Sequence, residues 1–84
     1  MYYVYLLKSK KDNSIYIGYT NNLKSRFKQH NNAESKFTKN KIPWGLIYSE
    51  IYKDKSDAKY REKNLKRFAQ AHNQLKKRIK NSLA

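Results

Sequence analysis

Near the start of the chain, YVYLLKSKKDNSIYIGYT holds two short runs in which apolar residues alternate with others. Between them lies the turn signal Lys11-Asp12-Asn13, so the stretch predicts a β-hairpin. Val4 and Leu6 share one face of the first strand, and Ile15 and Ile17 share one face of the second. Placing all four in one core fixes the parity of the register. Tyr3, Tyr5 and Leu7 must then share the opposite face with Ser14, Tyr16 and Gly18. The offset stays open: a loop around Lys10-Lys11 sets Tyr5 opposite Tyr16, and an Asp12-Asn13 turn staggers them.

The period then changes. Thr20, Asn21 and Asn22 are N-cap candidates for a helix running to about Asn31, with Leu23 and Phe27 as its apolar stripe. Arg26 and His30, four residues apart, lie one turn apart on a shared face of it. From Asn31 to Pro43 the chain is polar and carries Lys36, Lys39 and Lys41, which reads as a mobile basic loop. WGLIYSEIY, Trp44 to Tyr52, predicts a third strand, and apolar residues on both its faces predict a central position. Asp54, Ser56 and Asp57 suit the start of a further helix whose inward positions are Ala58, Glu62, Leu65 and Ala69. A second apolar series, Phe68, Leu75, Ile79 and Leu83, follows without Gly or Pro, so one bent helix and two packed helices fit equally well. The expected fold is one α+β domain, a small antiparallel α/β sandwich in the order strand, strand, helix, strand, helix.

Composition narrows the function. Among 84 residues, 20 Lys and Arg stand against 6 Asp and Glu, a net charge of +14. That exceeds what solubility asks of a small domain and suits a polyanionic partner, nucleic acid first. A basic module docking on an acidic protein or a membrane surface is the competing class. Apolar residues make up only 38%, with eight tyrosines among them, so the core is thin and a homodimer or a larger partner protein stays open. Cysteine is absent, which excludes disulfides and thiolate zinc sites and fits the cytoplasm. No signal peptide or membrane span is readable.

Glu62 stands out, an acid inside an apolar stripe where every neighbouring charge is positive. Its plainest role is an i,i+4 pair with Lys66, worth a few tenths of a kcal/mol. A lone inward acid in a phosphate-attracting protein repels its ligand unless a cation lies between them, and Mg2+ suits that position. Arg26 and His30 each read alone as ordinary helix residues, and Tyr5 and Tyr16 as sheet packing. Gly18 reads as a bulge or a place of close backbone approach.

Taken together, Tyr3-Val4-Tyr5, Tyr16-Ile17-Gly18, Arg26, His30 and Glu62 resemble the GIY-YIG nucleases. The likeness is greatest to their small stand-alone members, through YVYLLKS, YIGYTNNLKSRFKQHN, PWGLIYSE and REKNLKR. The resemblance implies a three-stranded antiparallel sheet flanked by helices, and metal-dependent endonuclease activity on nucleic acid, DNA before RNA. Carried over by position, Tyr5 and Tyr16 match the motif tyrosines, Arg26 the arginine, His30 the histidine and Glu62 the ligand of Mg2+ or Mn2+. In that scheme water attacks in line, Tyr5 first and Tyr16 second is the proton acceptor, Arg26 steadies the phosphate, and His30 orients a tyrosine or relays its proton. Gly18, Tyr19, Lys39, Lys41, Lys76, Lys77, Arg78 and Lys80 are expected to contact nucleic acid, and Asn73 loosely matches a late family asparagine. The sequence departs from the family pattern at Tyr3, where the motif has Gly but the small members share the variation, and at Tyr19, where many relatives have Lys. The alternative is a module of the same fold that binds nucleic acid without cutting it.

Overall fold

The computed structural model describes residues 1–84. Strands β1 (Tyr2–Ser9), β2 (Ile15–Thr20) and β3 (Trp44–Tyr52) form an antiparallel sheet in the order β2-β1-β3. Helix α1 (Leu23–Asn31) lies between β2 and β3 in the chain; α2 (Lys55–Arg67), α3 (Ala69–Arg78) and the short α4 (Lys80–Leu83) follow.

The hairpin has the expected parity. Val4, Leu6 and Ile17 enter a core with Ala58, Leu65 and Leu75 from α2 and α3. Tyr5, Leu7 and Trp44 form a second cluster on the other face, packed by Tyr16, Leu23, Phe27 and Ile42. The register is staggered, with Tyr5 opposite Gly18 and Tyr16 opposite Leu7. Ser9 anchors the turn: its backbone N–H donates to Ser14 O, and its Oγ accepts from the N–H groups of Lys11 and Asp12. Asn13 takes the left-handed conformation there, at φ 64°.

The third strand corrects the sequence reading. It is an edge, and β1, buried on both faces from Val4 to Leu7, is the centre. A register shift opposite Leu6 and Leu7 explains the misleading pattern. Leu46 pairs with Leu7 and Tyr48 with Leu6, so Ile47 is the extra residue of a bulge. Trp44 and Leu46 thus share the Tyr5 face, whereas Tyr48, Glu50 and Tyr52 share the Val4 face. Even-numbered residues change sides mid-strand, and both faces look apolar in the sequence without the strand being central.

Two further expectations fail, the mobile loop and the inward Ala69. The segment after α1 is tied down, with Ser35 and Thr38 buried and a 3₁₀ turn at Lys39–Lys41. Asn31 at the end of α1 pairs with both backbone groups of Trp44, accepting from its N–H at 2.7 Å and donating to its carbonyl at 3.0 Å. At the other end the helical run breaks at Phe68, which is extended (φ −111°, ψ 112°) and half exposed, and Ala69 faces solvent. A straight helix from Lys55 to Arg78 would measure about 36 Å at ~1.5 Å per residue, beyond the molecule's longest dimension of 28 Å. The break folds α3 back so that Leu75 joins Leu65 in the core.

Candidate active site

Local sequence places each piece. Asn22 caps α1, its Oδ1 accepting from the Ser25 N–H at 3.1 Å, and the apolar pair Leu23 and Phe27 turns the helix onto the Tyr5 face. Arg26 and His30 then project toward β2. Asp54 caps α2 in the same way, by accepting from the Ser56 N–H, and Ala58 and Leu65 dock α2 on the opposite face. Side chains on α2 reach the cluster around the β2 edge: Lys66 Nζ lies 5.9 Å from the Tyr16 ring centre.

Tyr5 is the hub. It is 1% exposed, and its hydroxyl lies 2.8 Å from His30 Nε2. The Tyr16 ring centre is 6.3 Å from that of Tyr5 and 5.0 Å from that of His30. Gly18 makes this possible, since a Cβ there would fall 2.3 Å from Tyr5 Cζ and its hydroxyl oxygen. The space beside the Gly18 backbone is filled by the protein's own phenol.

His30 is fully buried, and its Nδ1 lies 2.8 Å from Thr38 Oγ1. Burial, and then the Arg26 charge, push its pKa down to about 4, so the imidazole is neutral at physiological pH. Arg26 is also beside Tyr5 and has only donors to offer. The phenol proton is therefore free to go to His30 Nε2, and Nδ1–H to Thr38. Thr38 is fixed in turn, its carbonyl accepting from Trp44 Nε1 at 2.9 Å. Arg26 Nη1 donates to Gln29 Oε1 at 2.9 Å, which holds the guanidinium on this side of α1. Burial and the neighbouring Tyr16 raise the Tyr5 pKa to about 12, against a smaller opposing pull from Arg26. The resting site therefore holds Tyr5 protonated, opposite to the lowering a phenol base needs.

Glu62 does not face open solvent. Its side chain is 16% exposed, its charge is felt at Tyr5, and its Oε2 accepts from Lys66 Nζ at 3.0 Å. Both readings of Glu62 thus describe one geometry, an acid at the cluster that is also paired four residues along its helix. No group of three His, Cys, Asp or Glu gathers anywhere in the molecule. One carboxylate is a poor cage for a structural ion. It does fit Mg2+, which takes one or two carboxylates and otherwise waters and phosphate oxygens.

The family model of the GIY-YIG catalytic domain matches residues 1–77. This chain belongs to the GIY-YIG family. It is therefore a member of a nuclease family, whose partner is nucleic acid. A UPF0213 protein of Staphylococcus haemolyticus is 44% identical over 69 residues, covering 81% of this chain and 83% of that one. A UPF0213 protein of Clostridium perfringens is 46% identical over 68 residues, covering 80% and 72%. The solution NMR structure of the UPF0213 protein BH0048 from Bacillus halodurans superimposes with a TM-score of 0.57 at 32% identity, covering 89% of this chain and 82% of that one. No helix is long and apolar enough to cross a membrane.

The fold gathers Tyr5, Tyr16, Arg26, His30 and Glu62, drawn from four elements of this GIY-YIG domain. It treats the remaining candidates differently. Tyr19 lies on the Val4 face, stacked on Tyr2 at 6.3 Å between ring centres, with Lys59 Nζ 4.3 Å from its own. Lys41 is bonded to Ser14 Oγ at 2.9 Å and paired with Asp12 at 3.3 Å, and Lys39 is exposed beside it. Asn73, Lys76, Lys77, Arg78 and Lys80 belong to the layer behind the sheet, away from α1. Thr38, Gln29 and Asn31 are further parts of the site that the sequence does not mark. Thr38 and Gln29 carry no signal there, because only the folded loop and the α1 surface give them partners.

The buried neutral His30 makes stability acid-sensitive. The unfolded histidine gains a proton near pH 6.5, and the folded one only near pH 4. As pH falls between these values the unfolded state binds more protons, so the His30 contribution is full above 6.5 and lost toward 4. The loss approaches about 3 kcal/mol at low pH. Urea unfolding at a series of pH values should show it, and His30→Gln should flatten that part of the curve.

Proposed function

We propose that this chain is a divalent-metal-dependent endonuclease that hydrolyses phosphodiester bonds in nucleic acid, DNA foremost. The observation that carries the reading is the meeting of Tyr5, Tyr16, Arg26, His30 and Glu62 at the β2 edge, with the Tyr5 hydroxyl 2.8 Å from His30 Nε2. Glu62 is the residue to hold Mg2+ or Mn2+ there, which when bound supplies Lewis-acid charge at the phosphate. Arg26 lies against the phosphate and stabilises charge that gathers on its oxygens as water attacks in line. The 3′ oxygen leaves as the new P–O bond forms, and the water's proton passes to a tyrosine.

Solvent access selects the tyrosine. Tyr5 is sealed, hydrogen-bonded and held protonated, whereas Tyr16 is only partly buried. Tyr16 is therefore the proton acceptor, and Tyr5 with neutral His30 positions it from below. An ordinary phenol is ionised about one part in a thousand at pH 7, so the rate should climb through the alkaline range. Tyr16→Phe should cost about 10²- to 10⁴-fold and remove the rise. Tyr5→Phe should lower the rate while keeping the rise. Single-turnover rates from pH 6 to 9 decide this, and a flat wild-type profile would remove a phenol base altogether.

A second reading has one observation behind it, the Glu62–Lys66 pair, which gives Glu62 a purely structural partner. The chain would then bind nucleic acid without cutting it. Incubating single-stranded, duplex and branched DNA and RNA with Mg2+, Mn2+ or EDTA tests the function, with Arg26→Ala as the control. Cleavage that needs metal and Arg26 establishes the nuclease; salt-dependent binding with no cleavage by any combination establishes the module.

A further inference from the structure

On the layer opposite Tyr5, a cleft between α2 and α3 is lined by Arg61, Ala71, Gln74, Leu75 and Arg78. Arg61 is held in place by Glu50. Its Nε donates to both carboxylate oxygens at 2.9 and 3.2 Å, and its Nη2 donates to Oε2 at 3.0 Å. Glu50 also accepts from the Tyr48 hydroxyl at 2.6 Å and from that of Tyr52. Burial alone would raise the Glu50 pKa, but Arg61 and the two phenols outweigh it and keep the carboxyl ionised. The Nη1 edge of Arg61 makes no bond within the protein. Gln74 and Arg78, one helical turn apart and both exposed, make none at all with their side chains, and the Arg78 charge reaches Tyr48 in the same network. Around the cleft, residues 69–84 carry Lys76, Lys77, Arg78 and Lys80 and no acid.

We propose that the Arg61–Gln74–Arg78 cleft and the basic side of α3 form a second phosphate site for nucleic acid, holding a segment separate from the one at the Tyr5 cluster. The proposal rests on the reading that the chain binds nucleic acid, and not on its cutting it. Planar guanidinium forks suit phosphate oxygens, and one held by a carboxylate loses little freedom on binding. The two sites open at opposite edges of the sheet: Lys66 on α2 reaches Tyr16 at the β2 edge, whereas Arg61 on the same helix is bonded to Glu50 on β3, the other edge. A bilayer is a poorer occupant, because Ala71, Leu75 and Ile79 face the core and leave only Phe68 and the amphipathic Tyr60 as large side chains with apolar surface exposed on this layer. Two sites at opposite edges let one molecule hold two arms of a branched substrate, or two duplexes.

Energy transfer between two differently labelled short duplexes, measured in EDTA so that nothing is cut, reads this out. Wild type should bring the duplexes together. A variant carrying Lys76→Gln, Lys77→Gln and Arg78→Gln should do so at least tenfold less well, while still binding a single duplex. The log-log salt slope of the bridging step should fall by about three in that variant. All three side chains are exposed and without hydrogen-bond partners in the protein, and an unchanged melting temperature confirms that the variant is folded. Undiminished bridging by the variant would overturn the proposal, as would loss of anionic-vesicle binding with bridging intact. A dimer bridging through two Tyr5 clusters would give the first of those results. Wild type that bridges without cutting keeps this site and removes the nuclease, whereas cutting without bridging does the reverse.

Discussion

Replacing Gly18 with alanine should dismantle the site from beneath and cost the fold about 1–3 kcal/mol, the usual range for overpacking a filled core. The new Cβ would fall 2.3 Å from Tyr5 Cζ and from its hydroxyl oxygen, well inside contact distance. Relief is hard to find. The ring is rigid and buried, its hydroxyl is committed to His30, and both backbones are held in sheet pairing. If the ring moves, the Tyr5–His30 bond breaks and leaves two buried polar groups unpaired, each costly. Thermal or urea unfolding gives the stability change. The expected activity of Gly18→Ala is close to that of Tyr5→Phe, since both remove the same hydrogen bond. A variant as stable and active as wild type would mean that Tyr5 does not need its place over Gly18.

Glu62→Gln should abolish cleavage, by about a hundredfold or more, and leave binding unchanged or tighter. The sign of the binding effect follows from charge, because the substitution removes an anion facing a polyanion. Little folding energy is at stake, as the Lys66 partner is half exposed and such i,i+4 pairs contribute only a few tenths of a kcal/mol. Arg26→Ala should lose about 10²- to 10³-fold in rate, with weaker binding as well. The two variants therefore separate on affinity while agreeing on rate. Cleavage that survives Glu62→Gln would reduce Glu62 to the partner of Lys66, and the chain to a binding module or a nuclease of another design.

Much of this site could be read one residue at a time. Strand parity put Tyr5 and Tyr16 on one face, and helical spacing put Arg26 and His30 on one side of α1, because both follow from local periodicity. The bulge at Ile47 could not be read, since a shifted register leaves the same letters in the same order. Nor could the closure of the loop over His30. Thr38 is polar and has no periodic neighbours, and its role exists only once His30 Nδ1 and Trp44 Nε1 both reach it. The helix break at Phe68 likewise shows its purpose only in the fold, where it returns Leu75 to the core beside Leu65.

By itself, then, the sequence determined the element order, the two faces of the hairpin, the family and the five side chains of the candidate site, all of them properties of periodicity and motif. Tertiary structure alone decided that β1 is the central strand, that Tyr5 is sealed and protonated while Tyr16 is open, that Glu62 comes with Lys66, and that the basic α3 lies behind the sheet. Those outcomes depend on burial and on the charges of residues distant in the chain, and both arise only when separate segments are brought into contact.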